Sequence, residues 1–162
     1  MTAPRARDFQ LWFVVLSVVL VLRVPVGAVQ AADACSRVVI VIPRDAWRLT
    51  IATDGSASIN YAALPQTVDV PSGAFRFREL YAELLPRLRG TRANDQMASV
   101  ECHPATREAQ PVIGYLDDEG FAAEQFEHAW MRMEEPLDPA GREHVDALRR
   151  MWDRRDGPRA RK

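Results

Sequence analysis

Apolar positions fall into distinct regimes along this chain. From Leu11 to Leu22 they are continuous, LWFVVLSVVLVL, interrupted only by Ser17. From Arg37 onward they form short β-branched runs and alternations. Between Phe77 and Leu88, and again beyond Gly120, they recur at helical steps. Each pattern predicts its own element, because strand side chains repeat every second residue and helical ones about every 3.6.

Arg37 to Pro43, RVVIVIP, reads as a buried strand that stops at its proline. Trp47 to Thr53 alternates, with Trp47, Leu49 and Ile51 on one face. Asp54-Gly55 follows, a turn signal because glycine accepts positive φ at low cost. Ala57 to Ala63 alternates again, with Ala57, Ile59 and Tyr61 sharing a face. Residues 47–63 are therefore predicted to be a hairpin. Val68 and Val70 add a short edge strand before Pro71. Ala98 to Cys102 and Pro111 to Leu116 complete the strand set, the latter weakened by Gly114.

Phe77, Leu80, Tyr81, Leu84 and Leu88 form one helical stripe, and Pro86 should end or kink that helix near Leu85. A second helix is expected over residues 121–133, with Phe121, Phe126, Ala129, Trp130 and Met133 on one side. Glu134 and Glu135 follow it, where negative charge opposes the helix dipole; nothing in the sequence explains them. Asp138 is placed as an N-cap with Pro139 at the first helical position. The third helix then runs to about Trp152, with Val145, Leu148 and Trp152 inward. Residues 154–162 form a basic, Gly- and Pro-containing tail.

These elements give an α+β fold: an antiparallel sheet of about five strands, packed on one face by two or three helices. It occupies a single domain over residues 35–153, behind an N-terminal signal segment.

Residues 1–31 read as that signal. Arg5 and Arg7 open it, and the twelve residues Leu11 to Leu22 span about 18 Å as a helix, short of the roughly 30 Å of a bilayer core. Pro25 and Gly27 break the helix, and small residues follow, with cleavage expected after Ala31 and next after Ala34. The alternative is a retained inner-membrane anchor over residues 9–29, with Arg23 snorkelling to the interface. A lipoprotein at Cys35 is disfavoured by Asp33.

Composition places this domain and narrows its chemistry. Apolar residues make up 48% of the chain and charged ones 27%, values of an ordinary globular protein. Of the 21 basic residues only Lys162 is a lysine, a bias that suggests a GC-rich bacterial genome. Removing the leader takes away Arg5, Arg7, Arg23 and Asp8, leaving 18 basic and 21 acidic residues, net −3. No basic field exists for nucleic acid. The expected location is periplasmic or secreted, and there an even pair of cysteines, Cys35 and Cys102, reads as a disulfide.

Candidate chemistry is sparse. No Gly-rich phosphate loop, no G-x-S-x-G elbow and no C-x-x-C occurs, so no cofactor and no metal is assigned. Cys102 and His103 are adjacent, but neighbours on a strand point to opposite faces. His128 lies four residues after Glu124, on one helix face, yet the second histidine of a zinc motif is missing. Asp117, Asp118 and Glu119 are contiguous, unlike the alternating acids of a calcium loop. They suit the start of a helix.

The leading expectation is a small exported binding protein without catalysis, of the inhibitor or immunity type, acting on another envelope protein. The rival is an envelope enzyme built on His103, Cys102 and His128. A third reading is a membrane-anchored accessory subunit of an envelope complex. It touches a membrane only if the leader is retained.

Overall fold

The computed structural model describes residues 35–43, 46–64, 66–106 and 109–155. The leader and the tail beyond Arg155 lie outside them, with the expectations attached to both. Among the described residues no helix is long and apolar enough to cross a membrane.

The chain forms β1 (Cys35–Ile42), β2 (Trp47–Ala52), β3 (Ala57–Tyr61) and β4 (Thr67–Val70), then α1 (Phe77–Leu84). A 3-10 turn at Leu85–Arg87 leads into β5 (Leu88–Arg89), followed by β6 (Ala98–Pro104), β7 (Val112–Leu116), α2 (Glu119–Arg132) and α3 (Pro139–Arg155). The strands make one seven-stranded sheet in the order β4-β3-β2-β1-β6-β7-β5. Every pairing is antiparallel.

The order follows from the connections. β1 to β4 form a meander that ends at one edge. The chain then passes through α1 to the opposite edge, where β5 lies. β6 returns to pair with β1 at the centre, and β7 fills the space between β6 and β5. The expectation of about five strands differs mainly at β5. Its two residues are a strand only because Leu88 and Arg89 meet Leu116 and Tyr115 of β7. Gly114 assists this approach, since a Cβ there would come within 3.1 Å of the Leu88 side chain.

One face of the sheet is closed. Val38, Ile40 and Ile42 of β1 point into it, with Trp47, Leu49 and Ile51 of β2 beside them. The three helices of the described residues contribute to the same core: Leu80 and Leu84 from α1, Phe126 and Trp130 from α2, Leu148 and Trp152 from α3. Trp47 is its hub. Its ring meets those of Trp152 at 5.3 Å and Trp130 at 6.3 Å, both edge-on, and Phe126 stacks on Trp152 at 4.7 Å. Such edge-on and offset pairs suit the ring quadrupoles.

The helix ends follow local chemistry. Pro86 lies in the 3-10 turn that terminates α1, because its ring cannot continue the α ladder. Asp118 accepts from the Phe121 N–H at 3.3 Å and Asp138 from the Gly141 N–H at 2.9 Å, capping α2 and α3. α3 continues to Arg155, so the expected tail boundary at residue 154 falls inside the helix.

Candidate functional site

Cys35 and Cys102 are joined in a disulfide, with their Cα atoms 5.5 Å apart. Cys35 begins β1, where a bulge shifts the register, and Cys102 lies on its neighbour β6. The bond staples the two central strands at one end. Cys102 is thereby removed as a nucleophile in the oxidised protein.

His103 takes the other side of β6, as strand alternation requires. Its Nε2 lies 3.1 Å from Glu101, which shares that outer face. His128 is on α2, and its Nε2 lies 2.8 Å from the Ala74 carbonyl oxygen. A carbonyl only accepts, so Nε2 carries the hydrogen and donates. The Phe75 ring packs against the imidazole at 4.8 Å. Neither glutamate near His128 on its own helix orients it, and Glu127 instead accepts from the Trp152 indole N–H. Cys102, His103 and His128 thus lie in three separate environments: the stapled inner side of β6, its outer side, and the α2 surface.

The acids at the α2 N-terminus are also engaged. Asp117 pairs with Arg89 at 2.6 Å, Asp118 lies 3.9 Å from Arg87, and Glu119 lies 3.9 Å from Arg155. Among the described residues no three histidine, cysteine, aspartate or glutamate side chains gather as a metal site.

Surface geometry supplies what sequence motifs do not. His128 lines a cleft of 410 Å³ between α2 and α1 with the residues that lead into α1, where Arg76, Glu79, Glu83 and Arg132 mix both charge signs. A second groove, of 440 Å³, runs beside β4. One wall is Thr67 to Pro71, and the other is the α2–α3 connection at Glu134 to Leu137, with His144 and Val145 of α3. β4 is the edge of the sheet, so among the described residues its outer backbone side has no strand partner. Leu137 in the facing wall is 97% exposed.

The outer face of the sheet is the third feature. Strand pairing aligns Ile113, Glu101, Val39, Thr50, Ser58 and Asp69 in one row across it. None of these belongs to the core cluster that the helices share; Val39 is buried and Ile113 is exposed. The sequence marked the parity of these positions but could not show that the described helices would all pack on the opposite face.

Comparison with protein-family models, with curated proteins and with solved structures finds no match for this chain.

Proposed function

We propose that this chain is an exported, disulfide-braced binding protein that engages another envelope protein through its sheet, in the manner of an inhibitor or immunity protein. The observation that carries this reading is the one-sided covering of the sheet. Three helices close one face, while the other presents mixed apolar and polar side chains on a rigid backbone. A non-obligate protein interface has that mixed character, with no need of a wholly apolar patch. The staple at β1 and β6 fixes the central strands of the platform before any partner arrives, which lowers the ordering cost of binding. The dispersal of Cys102, His103 and His128 gives the enzymatic rival no assembled site to build on.

Site-specific photo-crosslinking in cells tests the reading. A crosslinking side chain at Thr50, in the middle of the outer face, should yield a discrete adduct with another envelope protein. The same group at Arg150, exposed on α3, should yield none. Absence of any adduct at the sheet, with the protein folded and exported, would reject protein binding through it.

A further inference from the structure

The edge of the sheet at β4 carries a more specific inference, which rests on the reading that the protein binds another protein. The groove there is walled along its length by a strand whose outer N–H and C=O groups have no strand partner among the described residues. Among the described residues, none of the backbone hydrogen bonds outside the regular elements comes from Thr67 to Val70. Edge strands of this kind receive an added strand, main chain supplying affinity and alternate side chains specificity.

Charge identifies the guest. Asp69 on the strand and Glu134 and Glu135 on the opposite wall are all exposed and all line the groove. None of them makes an ion pair among the described residues. No arginine or lysine among the described residues lines the groove. A second copy of the same edge would bring like charges together, which opposes self-pairing. An extended basic segment meets the opposite sign on both walls. Its alternation would set one row of side chains toward Asp69 and the other toward Pro136 and the exposed Leu137. This also gives a role to Glu134 and Glu135, which helix electrostatics disfavour at that end of α2.

We infer that the β4 groove binds an extended, lysine- or arginine-bearing segment of a partner protein by strand addition. The test uses the full exported protein and a short peptide alternating lysine with valine. In amide NMR spectra the peptide should shift signals of Thr67 to Pro71 and of Glu134 to Val145. Combining Asp69→Asn, Glu134→Gln and Glu135→Gln should weaken it about tenfold, as expected for several exposed ion pairs together. These near-isosteric changes at exposed sites leave the core untouched.

A second peptide of the same sequence, with every peptide nitrogen methylated, carries the same charge without any backbone N–H to donate, and should bind at least about tenfold more weakly. Equal binding of the two peptides would overturn strand addition and leave only charge attraction. Shifts elsewhere, or none, would overturn the groove as the site. A concentration-dependent dimer through β4, with no peptide bound, would replace the basic partner by a second copy. Each of these failures leaves the Thr50 crosslink as it stands, whereas loss of that crosslink rejects the wider reading.

Discussion

The indole N–H of Trp152 donates to the carboxylate of Glu127, tying α3 to α2 across the rim of the aromatic core. Trp152 is buried, with its ring between Phe126 and Trp47 and the Arg155 guanidinium 4.0 Å above it. Glu127 itself is exposed. The bond therefore satisfies a polar atom on a residue whose body the core requires.

Removing that acceptor should cost stability without disturbing the packing. Glu127→Ala is expected to lower the unfolding free energy by about 1 kcal/mol, the usual value of one such bond when water can partly replace the acceptor. Glu127→Gln retains an oxygen at the same place and should recover at least half of the loss. Urea unfolding of the three proteins checks this. A Gln variant as weak as the Ala variant would show that the charge, and not the hydrogen bond, matters.

The disulfide should contribute far more. Closing a chain separation of 67 residues stabilises by about 4 kcal/mol in the chain-entropy account. A domain of this size has about 5–15 kcal/mol in total. The double variant Cys35→Ala and Cys102→Ala is expected to lose most of its stability, with a large fall in the urea midpoint. Alkylation before reduction should label neither cysteine of the native protein, and both after reduction. Two free thiols in the oxidised protein would contradict the staple.

What the sequence made legible was set by the range of the signal. The Trp47, Leu49, Ile51 alternation and the Phe77 to Leu84 stripe are local patterns, and each side chain took the predicted face. Asp138 was readable as a cap because its partner, the Gly141 N–H, is three residues away. β5 was not readable, since two residues become a strand only through pairing with distant β7. The β4 groove was hidden for the same reason. Its walls come from residues 67–71 and 134–145, which no periodicity connects. Its traces in the sequence were an edge strand at Val68 and Val70 and two glutamates without an explanation. His128 misled in the opposite direction: its helical neighbours suggested a glutamate partner, while the fold turned it to the Ala74 carbonyl.

The β2–β3 turn joins two distant parts of the chain and should be intolerant of change. Gly55 has φ 79°, a conformation that favours glycine, and its carbonyl accepts from the Phe75 N–H at 3.0 Å. A Cβ at this position would collide with the Phe75 carbonyl oxygen. Gly55→Ala is expected to destabilise by more than about 1 kcal/mol, combining backbone strain with that collision. Gly73→Ala provides the comparison. Its φ is 80° but nothing lies within 4 Å of its Cβ position, so it should suffer strain alone and lose less. Equal losses in thermal unfolding would show that the close approach at Phe75 carries no weight.

The same turn sets an acid response. The Asp54 carboxylate accepts from the Ser56 hydroxyl at 2.7 Å, the Ser56 N–H at 3.0 Å and the Ser72 hydroxyl at 2.8 Å. Chiefly the Ser56 hydroxyl, then its N–H and Ser72, hold this carboxyl below its ordinary value of 3.8. A lowered native pKa means that the unfolded chain binds the proton first. The stabilisation is complete above 3.8 and disappears as pH falls through the lowered native value. Asp54→Ala should therefore differ from the parent at neutral pH and converge with it in acid. A difference that persists unchanged to the lowest pH would mean that the carboxylate contributes nothing through its charge.

Tyr81 should govern the alkaline side. It is 6% exposed on α1, and its hydroxyl lies 3.9 Å from the Cys102 sulfur, a weak acceptor. Burial disfavours the phenolate and raises the phenol above its ordinary value of 10.0. The unfolded chain releases this proton earlier than the native one. Stability is then unaffected below pH 10.0 and falls as pH rises from there through the raised native value. Tyr81→Phe removes the ionisable group while keeping the ring that stacks on Phe77 at 6.2 Å. The variant should match the parent near neutrality to within the small value of the sulfur contact, and should lose less stability above pH 10.0. Unfolding curves at stepped alkaline pH, with the disulfide kept oxidised, measure this directly. Parallel decline of parent and Tyr81→Phe would place the alkaline sensitivity in another group and remove Tyr81 as its source.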